Sequence, residues 1–289
     1  LTHRTAAVVL SGGGAKTAAH IGATRALKEA GFEPAWYVGT SMGAVVAAGL
    51  ASGIGVDELL ERMVEVGRRG VVRDPLTPVA GLFLRSLLKP APLRAAIEAL
   101  VPVRRFSDLS LPLTVTAVDL DTGELVLFGA GATNAPLIDV LCASCALPLY
   151  YPPVELNGRR YGDGGLRAVV PLEPAAELDV ELVLAVDVGP GFDLPPAVDP
   201  VRIPPMIRAH DDAMGILMAA NTASQLELWR AHPDRAPLVY VRPKVERNAT
   251  FRVERVRAYA TEGRRATREA LEQWAETLDR PPFHDKFSP

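Results

Sequence analysis

Two cysteines in 289 residues exclude a disulfide-stapled scaffold. No run of eighteen apolar residues occurs, so no membrane-spanning helix is expected. No secretory leader is evident ahead of the first motif, and the chain opens on Leu1; the expected setting is the cytoplasm. Internal repeats are missing too, and only a short proline-rich tail, 281–289, has the composition of a disordered segment. The net charge of −3 gives no reason to expect nucleic acid as a partner. What remains is an apolar chain of a length suited to one large domain, expected over 1–280.

Apolar runs alternate with helical patterns. Ala6–Leu10 and Ala35–Val38 read as buried strands. Between them, Ala19, Ala23, Ala26, Leu27 and Ala30 mark a helix that Gly31 stops. Leu59, Leu60, Met63 and Val64 mark another short helix. Thr114–Val118 and Leu125–Phe128 form a strand pair around Asp121-Thr122-Gly123. Val154–Leu156 and Arg159–Tyr161 flank Asn157-Gly158, the signature of a type I′ hairpin. Glu181–Val186 and Leu238–Val241 are further strands, and apolar or small residues from Val253 to Leu278 recur at helical spacing. Such alternation predicts an α/β fold of three layers, with a mostly parallel central sheet and helices on both faces.

The strongest chemical signal is Gly39-Thr40-Ser41-Met42-Gly43. The pattern G-x-S-x-G, between a strand and the helix that Ala44–Ala48 begins, lets a serine ride a sharp turn with its hydroxyl exposed. A serine hydroxyl needs a base and an oxyanion site before it can act as a nucleophile. Gly12, Gly13 and Gly14 follow the first strand and can turn successive N–H groups toward one point. Asp163, in Tyr161-Gly162-Asp163-Gly164-Gly165, is the candidate base, and the glycines around it allow a second segment to approach. As an isolated Asp-Gly pair it would read equally well as a turn. His20, His210 and His232 keep a Ser-His-Asp arrangement open as the rival mechanism.

Three other patterns carry less. A phosphate-binding loop would need glycine at positions 15 and 10, where Ala15 and Leu10 stand, so Lys16-Thr17 is not a Walker pair. Lys16 is expected to support the glycine loop. Cys142 and Cys145 form C-x-x-C, yet no second pair exists to complete a zinc site, so both are expected to fill small buried positions. Asp119 and Asp121 with Gly123 suit a hairpin turn better than a calcium loop.

Taken together, Gly12-Gly13-Gly14-Ala15-Lys16, Gly39-Thr40-Ser41-Met42-Gly43, Ala143-Ser144-Cys145-Ala146-Leu147-Pro148 and Asp163-Gly164-Gly165 resemble, in order and spacing, the patatin-like phospholipase family. The resemblance spans most of the first 170 residues. It implies a Ser-Asp dyad, with Ser41 as nucleophile and Asp163 as base, and it places Gly12, Gly13 and Gly14 at the oxyanion hole. The implied substrate is a lipid or other acyl ester, cleaved through an acyl-enzyme without metal or organic cofactor. Where the family usually has glycine after the basic residue of the first motif, this chain has Thr17. That departure is the one support for a different reading, a binding or regulatory protein that keeps the fold and turns over little.

Residues 67–112 stand apart. Between Arg68 and Arg105 the local charge is +6 in a chain of −3, with Leu76, Val79, Phe83, Leu84, Leu87 and Leu88 at helical spacing and Pro78, Pro90 and Pro92 breaking the run. A basic amphipathic insertion suits a cap over the acyl groove or peripheral contact with an anionic membrane. A solvated surface with one apolar seam accounts for it as well.

Overall fold

The computed structural model describes residues 4–68, 86–133, 135–192, 204–247, 249–250 and 252–278. Strand β1 (Arg4–Leu10) ends in five consecutive buried residues, and a strand apolar on both faces is stable only inside a sheet covered on both sides. Parallel neighbours flank it, β2 (Phe32–Thr40) on one edge and β7 (Leu182–Val186) on the other. Beyond β7 lies β8 (Leu238–Val241), also parallel, and beyond β2 lies β3 (Leu113–Asp119). The far end turns antiparallel: β4 (Leu125–Gly129) and β6 (Arg159–Asp163) both pair with β3, and β5 (Val154–Leu156) pairs with β6.

Alternation along β1 sorts the core into two layers. Ala6, Val8 and Leu10 face helices α1 (Ala18–Glu29), α2 (Met42–Ala51), α3 (Val56–Arg68), α4 (Pro90–Leu100), α5 (Leu137–Ser144) and α7 (Val256–Leu278). Ala7 and Val9 face a smaller cluster closed by Val170, Leu172 and, from α6 (Pro205–Arg230), Leu226 and Trp229. The three-layer α/β expectation is met. Helices α1 and α7 cross with almost no side chain between them: a Cβ on Gly22 would run into the Ala260 carbonyl, and one on Gly263 into the Ala19 carbonyl.

One detail of pairing creates the site. Along a single edge of β3, residues Leu113–Thr116 pair with Tyr37–Thr40 of β2, and Ala117–Asp119 pair with Asp163–Tyr161 of β6. The edge passes from one strand to the other between Thr116 and Ala117. The residue after Thr40 is therefore brought beside Asp163.

The Asn157-Gly158 turn has both residues at positive φ, 51° and 76°, as the type I′ reading requires. Asp119 and Asp121 serve the same hairpin. Asp119 accepts from Arg159 at 2.6 Å, and Asp121 pairs with Arg160. The Arg159 bond, helped by the Asp121 N–H, holds the Asp119 carboxyl below the usual carboxylate range.

Two differences from the sequence expectations concern long segments. Helix α6, 26 residues long, is absent from the strand–helix pattern read above, because its apolar residues are not confined to one face: Met206, Ile216 and Leu217 are all more than half exposed. The 67–112 stretch differs along its length. From Pro90 onward it belongs to the body of the domain, since α4 sends Ala96, Ile97 and Leu100 into the core, with Pro90 and Pro92 in its first turn, where proline fits. Several of its charges are neutralised locally: Arg94 bonds Asp139, Arg104 pairs with Glu98, and Arg105 pairs with Asp108. Residues 69–85, with Arg69, Arg73, Leu76, Phe83 and Arg85, lie outside the described residues, as does the tail 281–289. At the described edge of that gap, Leu87 and Leu88 donate to the carbonyls of Leu149 and Tyr150.

Candidate active site

The chain leaves β2 at Thr40 and enters α2 at Met42, so Ser41 alone must reverse its direction. It does so at φ 54°, ψ −134°, a region that costs a non-glycine residue about 1–3 kcal/mol and persists only where the surroundings enforce it. The flanking glycines are steric necessities. A Cβ on Gly39 would lie 2.6 Å from Ala44 Cα, and one on Gly43 would strike the carbonyls of Leu10 and Ser11. Helix α2 starts on the Ser41 carbonyl, which accepts from the N–H groups of Ala44 and Val45.

This conformation aims the hydroxyl at the neighbouring strand. Ser41 Oγ donates to Asp163 Oδ2 at 2.7 Å, and Asp163 Oδ1 accepts from the Gly165 N–H at 2.7 Å. Asp163 is only 5% exposed. Burial lifts its carboxyl from the usual 3.8 to about 6, against the opposing pull of the Ser41 and Gly165 hydrogen bonds. A carboxylate so placed accepts a proton far more readily than one in water, while remaining ionised at neutral pH.

The glycine loop lies against the same spot. Gly12 packs against Ser41, where a Cβ would come within 3.3 Å of Ser41 Cβ, and its N–H is engaged by the Val169 carbonyl at 3.1 Å. Ala15 donates to Thr250 at 2.7 Å. The N–H groups of Gly13 and Gly14 meet no hydrogen-bond acceptor among the described residues.

The loop is held from behind by Lys16 and Thr17, and by Ser11 and Asp187, which the sequence reading did not single out. Ser11 Oγ accepts from the Val188 N–H and donates to the Gly12 carbonyl. Lys16, buried, reaches the Gly189 carbonyl at 3.4 Å. Its burial lowers the ammonium to about 8, with Asp187 opposing that shift. Asp187 in turn accepts from the Gly189 N–H, Tyr240 and Arg242. Thr17 is helical at φ −64°, so no positive φ is demanded there, and its hydroxyl donates to the Gly14 carbonyl at 2.7 Å.

Among the described residues, no histidine hydrogen-bonds to either Ser41 or Asp163. His20 Nε2 bonds the Ser11 carbonyl at 2.9 Å beneath the loop, and burial lowers its pKa to about 4. His210 lies beside Asp211 on α6, and His232 beside Asp234. We expect His210→Ala and His232→Ala to keep more than half of the wild-type turnover on a soluble ester. A folded variant of either as damaged as Asp163→Asn would move the base to that histidine. Cys142 and Cys145 are free, buried thiols, both raised by burial, Cys142 to about 11.

A sequence profile described as Patatin-like phospholipase matches residues 8–176, which include the glycine loop, Ser41 and Asp163. The chain belongs to the patatin-like phospholipase family. An uncharacterized NTE family protein of Mycobacterium tuberculosis is 33% identical over 210 residues, 70% of this chain and 56% of that protein. Human patatin-like phospholipase domain-containing protein 6 is 29% identical over 196 residues, which are 65% of this chain and 14% of that protein. The chain thus spans about half the length, or less, of these curated relatives. The crystal structure of VipD from Legionella pneumophila shares the fold, with a TM-score of 0.52 at 16% identity, covering 94% of this chain and 67% of VipD. The family match ends at 176, so the Asp187 network and Thr250, which brace the patatin-type loop, lie beyond it. An aspartate followed two residues later by glycine, at the end of a buried strand, was the only local hint of Asp187.

Proposed function

We propose that this protein hydrolyses ester bonds of lipids through an acyl-enzyme formed on Ser41, with Asp163 as the sole base. The observation that carries the reading is the 2.7 Å bond from Ser41 Oγ to a buried carboxylate raised toward neutrality. In the first step the Ser41 proton passes to Asp163 while Oγ attacks the ester carbonyl carbon. The resulting oxyanion is received by the N–H groups of Gly13 and Gly14, whose hydrogen-bonding capacity is unspent, while the first turn of α2 adds its positive end. Gly12 contributes clearance at Ser41. Collapse of the intermediate breaks the bond to the alcohol, which leaves with the proton from Asp163. Water then attacks the acyl carbon, giving up its proton to Asp163; collapse breaks the bond to Ser41 Oγ, which takes that proton back, and the acid is released.

The lipid part of the proposal is supported by the family and by exposed apolar residues, some of them on α6, which approaches Gly165 through Met218. Met218 of α6 lies close to Gly165, Phe192 packs near Gly215, and Phe192, Leu149, Ile216 and Leu217 are all exposed. The basic stretch contributes less to a bilayer-binding proposal than its sequence suggested, given the local pairing of Arg94, Arg104 and Arg105. No described helix is long and apolar enough to cross a membrane, and the proposed setting is the cytoplasm.

The test is a panel of acyl esters graded in chain length and head group, run beside Ser41→Ala and a fluorophosphonate probe. Wild type should turn over and label at Ser41. Ser41→Ala should do neither, with turnover reduced by at least about 10³-fold and the fold retained. Residual turnover within tenfold of wild type would place the nucleophile elsewhere.

A further inference from the structure

The stretch Ala143–Pro148, prominent in the sequence, has no part in the proton transfers above, yet it touches both dyad residues. Ser41 donates its backbone N–H to Ser144 Oγ at 2.8 Å. Asp163 donates its backbone N–H to the Ala146 carbonyl at 3.0 Å. Cys145, between them, is buried against the Ser41 hydroxyl. Two residues at and just beyond the end of α5, Ser144 and Ala146, thereby hold the backbones of nucleophile and base, which are 122 residues apart.

The Ser41 amide needs such a partner. Ladder pairing of β2 ends at Thr40, and the first amides of a helix have no acceptor within it, so neither β2 nor α2 can take this N–H. A buried N–H without a partner costs about 1–3 kcal/mol, comparable with the strain already carried at φ 54°. Ser144, fully buried, supplies the acceptor from another segment. Without it, both terms favour relaxation of the Ser41 backbone, and the direction of Oγ follows the backbone.

We propose that Ser144 is a positioning residue: its hydroxyl pins the strained Ser41 backbone, and the 144–146 turn sets the spacing between nucleophile and base. The proposal rests on Ser41 being the nucleophile, as argued above.

Ser144→Ala removes the acceptor with minimal change of volume. We expect kcat on a soluble ester to fall about 10- to 100-fold, as small misplacements of a reacting group do, with KM within about twofold. Labelling by a fluorophosphonate should slow in the same proportion, and circular dichroism should show the variant fully folded. A readout independent of turnover is hydrogen exchange of the Ser41 amide, expected at least about tenfold faster in Ser144→Ala while the amides of Tyr37–Gly39 keep their protection. Ser144→Thr, which keeps the oxygen, should restore both the slow exchange and most of the labelling rate. The proposal is overturned if Ser144→Ala matches wild type within twofold in kcat and labelling, if its loss tracks the unfolded fraction, or if Ser41 exchange is unchanged. Inactive, unlabelled wild type would sink the hydrolase reading alone, and the exchange measurement would still decide the role of Ser144.

Discussion

Asp163→Asn should lower kcat on a soluble ester by about 10²–10⁴-fold, the range expected when a general base is lost, while the protein stays folded. Asparagine can still accept from the Gly165 N–H, and its amide can donate to Ser41 Oγ, so the hydrogen-bonded shape of the dyad survives without a basic oxygen. The pH dependence separates this from a loss of packing. With the Asp163 carboxyl at about 6, wild-type turnover should fall roughly tenfold per pH unit below that value, and the small residual rate of Asp163→Asn should show no such limb. Stability runs the other way. Because the folded-state value lies above the unfolded one, the folded protein holds this proton more tightly. Asp163 therefore adds stability as pH falls from about 6 to about 4 and withdraws it above 6. At pH 7 the penalty is on the order of 3 kcal/mol. Asp163→Asn should accordingly melt at or above wild type at pH 7, with the gap closing near pH 4. An Asp163→Asn protein that melts well below wild type at pH 7 would show the carboxylate to be stabilising, contrary to its burial.

Gly263→Ala is expected to cause the largest loss of stability from a single methyl group. The added carbon would meet the backbone of Ala19 across the α1–α7 crossing, and backbone cannot rotate away as a side chain can. Separating the helices would open gaps along a contact that includes Ala19, Gly22, Ala260 and Gly263. Overpacking of this kind costs about 1–3 kcal/mol where side chains can yield, and the upper end or beyond is expected here. Gly22→Ala should behave alike, since its Cβ would meet the Ala260 carbonyl from the opposite helix. Gly55→Ala, with open space around it, is the control. Thermal unfolding should show both helix variants several degrees below wild type or unfolded, and Gly55→Ala unchanged. Equal melting of Gly263→Ala and wild type would mean that the crossing is looser than described.

The local chemistry of the site was legible because each motif carries its own steric reason. Gly39 and Gly43 are required by the turn that Ser41 makes, and Asn157-Gly158 by the handedness of a hairpin. What joins the motifs was not legible. That Ser41 and Asp163 meet depends on β3 sharing one edge between two strands, a matter of register among residues 40, 116, 117 and 163. No periodicity within one segment encodes it. Ser144 and Asp187 act through partners 103 and 53 or more residues away. The residues around Ser144 carry part of the family resemblance without pointing to its partner, and those around Asp187 signal only a strand end. Helix α6 carries a weak signal because Met206, Ile216 and Leu217 put apolar residues among the polar ones of its outer face.

The bracing of the glycine loop has a consequence for how activity arises during synthesis. Ser41 and Asp163 have both left the ribosome once about 200 residues have been made, and the strands that carry them can pair with β3. The loop at residues 12–15 is shaped by Val188, Gly189 and finally Thr250. A nascent chain released before residue 250 would thus carry a complete dyad facing a loop without its rear wall. On the proposed function, such a fragment would leave its oxyanion poorly received until Thr250 is in place behind Gly14 and Ala15.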